Sequence, residues 1–300
     1  MVFPIFLFDL IKLFVISIKC HFFFYFTIVT FHIAMRCAIL LTVISVAFAA
    51  SVPEPRQQRI VGGSATTINK YPFAAHFQRN LWNILWSAHC GGSLITTTVV
   101  LSAAHCFDAG LSPSDYRVRL GSSSNTNGGT LFSVASYLNH PEYRNLDKDV
   151  ALVRLATPAV YSDVIKAARI PSTSFSIADD TKLTVIGWGA LYAGGPAPEI
   201  LQEVEVDKIN QEVCAERYRL LNEQRPPWSQ LPEVTANMFC SGILDVGGKD
   251  GCQGDSGGPV ILDSDIVVGI TSWGEGCAQA RYPGVNADVS AASDWIVQNA

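Results

Sequence analysis

The chain has 300 residues, 49% of them hydrophobic and 16% charged, with 21 basic and 26 acidic side chains for a formal net charge of −5. That sign excludes a nucleic-acid binder held by global positive charge. A charged fraction below the usual ~25%, with a mean hydropathy of +0.25, fits either a membrane protein or a soluble one behind an apolar leader.

Position decides between them. The first 50 residues hold 38 hydrophobic ones and 10 of the 16 Phe, with only Asp9, Lys12, Lys19 and Arg36 charged. From Met35 one basic residue, an apolar run and Ala47-x-Ala49 form a complete secretory signal over 35–50, so the product is expected to be secreted. Residues 1–34 contain Phe22-Phe23-Phe24-Tyr25-Phe26 in an uncharged run slightly short for a span and interrupted by His21 and His32. They read as a gene-model extension ahead of a true start at Met35, with a membrane anchor as the alternative. Residues 51–59 are short, polar and Pro-containing, as an exposed, cleavable connector is.

Beyond the connector, short apolar or β-branched runs alternate with Gly, Ser, Pro and Asn clusters. They fall at 93–101, 116–120, 131–138, 150–155, 183–188, 201–209, 260–262 and 266–272, and predict an all-β barrel or sandwich. Only 289–297 has helical spacing, with Trp295 and Ile296 placed to pack back on the body. Cys20 and Cys37 fall in the leader. The other six, Cys90, Cys106, Cys214, Cys240, Cys252 and Cys277, read as structural disulfides, and spacing alone leaves their pairing open. No Cys/His cluster has zinc-site spacing, although His89-Cys90 and His105-Cys106 are adjacent dipeptides, so no metal or cofactor is expected.

The sharpest chemical signal is Gly254-Asp255-Ser256-Gly257-Gly258-Pro259. A serine needs a neighbouring base to become a nucleophile, and flanking glycines let backbone N–H groups turn toward a developing oxyanion. The hexapeptide also fits the G-x-S-x-G elbow of α/β-hydrolases, but those place histidine after serine and the last histidine here is His140. The base is therefore His76, His89, His105 or His140. No Asp or Glu occurs between Ile60 and Ala104, so if His105 is the base its acid lies between histidine and serine. Asp149, at the mouth of the apolar run Val150–Leu155, is an acid that such a strand would bury.

Ile60-Val61-Gly62-Gly63, Ala103-Ala104-His105-Cys106, Asp149-Val150-Ala151-Leu152, Gly187-Trp188-Gly189, Gly254–Pro259 and Ser272-Trp273-Gly274 occur in the order and approximate spacing of trypsin-like serine proteases. The resemblance spans 60–300 and implies two six-stranded antiparallel β-barrels with a C-terminal helix. This family is also the general template for the serine–histidine–aspartate triad. The resemblance makes His105 the base, Asp149 its orienter, Ser256 the nucleophile, and the N–H groups of Gly254 and Ser256 the oxyanion hole. It implies the pairs Cys90–Cys106, Cys214–Cys240 and Cys252–Cys277. By the same resemblance Asp250 would lie at the base of a specificity pocket bounded by Ser272, Trp273, Gly274 and Gly284, which implies cleavage after Arg or Lys. It also implies an activation bond at Arg59-Ile60, after whose cleavage the new ammonium of Ile60 would pair with Asp255.

Residues 214–240 are longer than in vertebrate trypsins and include Arg225-Pro226-Pro227-Trp228, an insertion expected to border the outer subsites. Residues 121–143 lack the paired acids of a calcium loop. With no cysteine in the connector and no added module, the expectation is a simple digestive monomer. Its partners are protein or peptide substrates and proteinaceous protease inhibitors, with no nucleic acid, and a membrane only if residues 1–34 are retained. The alternative is a catalytically inactive binding homologue.

Overall fold

A computed structural model describes residues 61–82 and 84–300. The leader, the connector and the Arg59-Ile60 bond, including Arg59 and Ile60, lie outside the described residues. Runs of Val, Ile and Leu with one face to bury pair into closed barrels, which leave few strand edges open. After a two-residue strand β1 (Ser64–Ala65) come β2 (Ala74–Leu81), β3 (Leu85–Leu94), β4 (Val99–Ser102), β5 (Tyr116–Leu120), β6 (Thr130–Asn139) and β7 (Ala151–Leu155). They close in the order β2-β3-β4-β7-β6-β5. The second barrel uses β8 (Lys182–Gly187), β9 (Gln202–Ile209), β10 (Met238–Gly242), β11 (Pro259–Leu262), β12 (Ile266–Trp273) and β13 (Gly284–Asp288). Its antiparallel pairings run β8-β9-β10-β13-β12-β11 and back to β8. β1 pairs with β9, so the start of the body is strapped to the second barrel.

Each barrel has its own apolar filling. In the first, Phe107 lies 5.2 Å from Phe77, 5.1 Å from Tyr116 and 5.4 Å from Tyr137, ring centre to ring centre. This aromatic cluster underlies the short 3₁₀ turn Ala104–Phe107 that carries His105. In the second, Leu183, Val185, Val204, Val206, Phe239, Val260 and Val268 pack together. The buried Arg119 donates to the carbonyls of Thr126 and Gly128, gathering the loop between β5 and β6 around its guanidinium.

Three details differ from the sequence expectations. The run 93–101 is two strands, because Thr96 Oγ1 accepts from Thr98 N and Val99 N and turns the chain between β3 and β4. Strands β2, β10 and β13 carried no recognised alternation. A helix, α1 (Gln211–Glu223), occupies a segment where none was expected. Asn210 caps it by accepting from Val213 N, and it buries only Cys214 and Tyr218, one turn apart. Two inward residues do not make the apolar stripe by which a helix is recognised.

The C-terminal helix, α2 (Val289–Asn299), is where its spacing placed it. Asp288 caps it by accepting from Ser290 N at 2.8 Å. Ile296 is fully buried in the core, and Trp295 packs on the ring of His140 at 4.8 Å. Among the described residues no helix is long and apolar enough to cross a membrane. Ile296→Ala removes buried volume that the helix cannot refill by sliding, and is expected to cost about 2–5 kcal/mol. A urea titration should then show a lower midpoint with an unchanged slope.

Candidate active site

The serine loop and the histidine turn come from different barrels and meet along the seam. Gly91 N of β3 donates to the carbonyl of Ser256 at 2.8 Å, and Gly257 N donates to Thr271 O of β12 at 2.8 Å. Gly257 has φ +78°, and a Cβ there would lie 2.3 Å from Ser102 Oγ, so only glycine lets the serine loop approach the strand leading to His105. The disulfide Cys90–Cys106 ties β3 to the residue after His105. Sγ of Cys106 lies 3.8 Å from His105 Nε2 and 3.9 Å from the carbonyl of Ser256.

Asp149 is fully buried, and its carboxylate takes three hydrogen bonds. His105 N donates to Oδ1 at 2.8 Å, His105 Nδ1 donates to Oδ2 at 2.7 Å, and Ser272 Oγ donates to Oδ2 at 2.5 Å. A carboxylate acceptor on Nδ1 requires the proton there and leaves Nε2 as the basic nitrogen. Burial works against protonation of His105, but the hydrogen bond and charge of Asp149, aided by Asp108, outweigh it and hold the imidazole above its ordinary value. The other buried histidines are different. Burial, reinforced by Arg119 and His89, pushes His76 down to about 4, and burial also lowers His89, whose Nε2 donates to Cys106 O at 2.7 Å. His89, Cys90 and Cys106 cluster closely, but both sulfurs are in the disulfide and offer no thiolate to a metal.

Ser256 makes no side-chain hydrogen bond among the described residues, and neither Gly254 N nor Ser256 N donates to a protein acceptor among them. Gly254 has φ +97°, open to glycine and little else. Asp255 is fully buried, accepting from Gly189 N at 2.7 Å and Cys252 N at 2.9 Å. Burial raises its carboxyl to about 6. A Cβ at Gly189 would lie 2.4 Å from that carboxylate, which accounts for glycine beside Trp188.

A cavity of about 220 Å³ is lined by Ser256 together with Asp250, Ser272, Trp273, Gly274 and Gly284. Asp250 is 7% exposed, accepts from Ala278 N at 3.0 Å, and forms no ion pair among the described residues. A Cβ at Gly284 would lie 2.4 Å from its Oδ1. Burial, with the charge of Asp255 adding, pushes Asp250 up to about 7. The disulfide Cys252–Cys277 spans the cavity's rim, and Cys214–Cys240 anchors α1 to β10.

The sequence reading missed the support behind these walls. Tyr218 of α1 packs its ring 4.9 Å from Trp273, donates its hydroxyl to Pro283 O at 2.8 Å and accepts from Glu275 N at 3.2 Å. Tyr218 lies four residues after Cys214 and is the second of the two side chains that the helix buries, a pattern too sparse to have been read from the sequence. Arg225, from the insertion, pairs with Glu275 at 2.6 Å, just beyond Gly274.

Two six-stranded barrels with a serine loop facing a carboxylate-bound histidine across their seam define a serine endopeptidase of chymotrypsin-like fold. Residues 60–296 match the family model described as Trypsin. Relatives include "Trypsin, alkaline C" of Manduca sexta, 43% identical over 269 residues that cover 88% of this chain and all of the relative. "Trypsin CFT-1" of Choristoneura fumiferana is 41% identical across 89% of this chain and all of its own length. "Trypsin" of Phaedon cochleariae is 40% identical across 87% of this chain and 97% of its own. The chain belongs to the trypsin family.

The raised carboxyl of Asp250 gives the cavity a pH dependence. Below about 7 the buried carboxyl is protonated and offers a cation no charge, and above it the carboxylate can pair with a guanidinium that enters the cavity. Binding of a small aryl guanidine or amidine, followed by calorimetry, is expected to tighten as pH rises through 7 and then level off.

Proposed function

We propose that this protease is secreted as a zymogen and cleaves peptide bonds after Arg and Lys through a Ser256–His105–Asp149 acyl-enzyme mechanism. The observation that carries the specificity is the buried Asp250 carboxylate against Gly284, in a cavity that Ser256 and Gly274 also line. A desolvated carboxyl without a cation is costly, and a substrate Arg or Lys supplies the missing charge. The long side chain then holds its carbonyl carbon against Ser256.

His105 Nε2 takes the proton of Ser256 Oγ as the oxygen attacks, and the imidazolium so formed is stabilised by Asp149. The free N–H groups of Gly254 and Ser256 receive the oxyanion, each donor worth on the order of 3 kcal/mol in the transition state. His105 then protonates the leaving amine, and water repeats the sequence on the acyl-enzyme.

In this reading residues 35–50 are the signal peptide, 51–59 the propeptide and 60–300 the protease domain, with 1–34 a gene-model extension. Cleavage after Arg59 frees the ammonium of Ile60, the natural partner for the buried Asp255, and orders the oxyanion loop beside it. Because Arg59 matches the proposed specificity, the enzyme can activate its own precursor. In the same reading the enzyme is a digestive monomer that acts on dietary protein and is checked by protein inhibitors, and relatives named as trypsins support its assignment as a protease.

The test uses two aliquots of the activated enzyme, one labelled by a fluorophosphonate and the other, unlabelled, profiled with arginyl and lysyl amides. Wild type should be labelled and cleave both. Asp250→Ser should keep the label and lose cleavage after Arg and Lys by more than a hundredfold, on the order of 3 kcal/mol. An Arg59→Gln precursor should remain nearly inactive. Undiminished arginyl cleavage by Asp250→Ser would sink the assignment.

A further inference from the structure

The loop that delivers Asp149 carries a second carboxylate that the proposed chemistry does not use. Thr235 Oγ1 donates to Asp147 Oδ1 at 2.6 Å, and Asn237 Nδ2 lies 3.0 and 3.2 Å from the two carboxylate oxygens. Both donors belong to the second barrel's approach to β10, and both are held in place without Asp147. Met238 N and Gln211 Nε2 of α1 donate to Thr235 O, and Asp288 N donates to Asn237 O.

The loop itself is strained. Asn145, Leu146 and Lys148 have φ of +50°, +65° and +50°, and none is glycine. Each such residue costs about 1–2 kcal/mol and persists only where surroundings over-determine it. Local ties act within the loop: Arg144 and Asp147 exchange backbone hydrogen bonds at 3.2 and 2.9 Å, Val150 N donates to Lys148 O at 2.8 Å, and Lys148 pairs with Glu142 at 2.6 Å. Among the described residues, the side-chain hydrogen bonds that carry this loop across to the second barrel come from its two carboxylates. Asp149 accepts from Ser272, and Asp147, two residues earlier, accepts from Thr235 and Asn237.

We propose that Asp147 is a positioning residue for the reaction, a latch that holds the strained loop against the second barrel and thereby sets His105 against Ser256. The inference rests on the triad reading above. Base and orienting acid sit on the first barrel, and nucleophile and specificity pocket on the second. A slip along the seam changes the nucleophile–base distance while leaving Asp250 and its walls intact. Misplacement of reacting groups by even ~1 Å is costly to the chemical step. The latch works by accepting hydrogen bonds, so a neutral amide oxygen at position 147 serves and a methyl group does not.

The test compares kcat and KM on a small arginyl anilide for the activated full-length enzyme and its Asp147→Ala, Asp147→Asn and Thr235→Val/Asn237→Ala variants, with Asp149→Asn and Ser256→Ala as controls. Asp147→Ala and the double variant are expected to lose kcat about tenfold with KM within about twofold, and Asp147→Asn to recover most of the rate. Wild-type kcat in Asp147→Ala, a rate in Asp147→Asn as low as in Asp147→Ala, or a loss expressed in KM alone would each overturn the proposal. If Asp147→Ala does not fold, the double variant decides on the same criteria. A wild-type rate in Asp149→Asn would instead remove the triad reading. Inactive controls beside a normal Asp147→Ala would remove only the latch.

Discussion

The carboxylate of Asp149 is withdrawn from solvent and takes hydrogen bonds from His105 on one barrel and from Ser272 on the other. A buried charge is tolerated only when its lone pairs are met, and these three donors meet them. The two barrels must therefore close on the carboxylate together. That requirement fixes the imidazole's tautomer, its ring orientation and its basicity in one arrangement. It also explains why the loop before β7 can hold three left-handed non-glycine residues, since contacts at both ends over-determine its path.

Three buried aspartates in the same region stand in different electrostatic situations. Asp149 is supplied with donors that include an imidazole. Asp250 and Asp255 are held mainly by backbone N–H groups, and burial raises them to about 7 and about 6. Carboxyls left in that state are poised for cations. In the proposed mechanism the substrate side chain supplies one and the freed ammonium of Ile60 the other. Where a Cβ would touch the carboxylate of Asp255 or Asp250, at Gly187, Gly189 and Gly284, the chain carries glycine. The segment around the cavity-lining Trp273 and Gly274 is braced by Tyr218 and by the Arg225–Glu275 pair, so the chain just after α1 helps to hold that wall.

Much of the fold was legible because strands that bury one face advertise it, as Thr130–Asn139 and Gln202–Ile209 do. Less visible were elements whose burial comes from both sides or scarcely at all. Every residue of β10 is buried, which erases alternation, and α1 turns in only two side chains. The meeting of His105, Asp149 and the serine loop could be expected from motif order, since a nucleophile, base and acid must converge. The roles of Tyr218, Glu275 and Asp147 could not, because each acts through a partner 57 to 90 residues away, and no local pattern records such a contact.

The central claim is that Asp149 raises the basicity of His105 against the opposing effect of burial. NMR titration of the His105 ring in Ser256→Ala protein measures that balance directly. The account predicts a midpoint above the ordinary 6.5 that falls below it when Asp149 is replaced by Asn, because burial, the largest effect, is then opposed only by the smaller charge effect of Asp108. A midpoint below 6.5 with Asp149 in place, or one unmoved by Asp149→Asn, would contradict it.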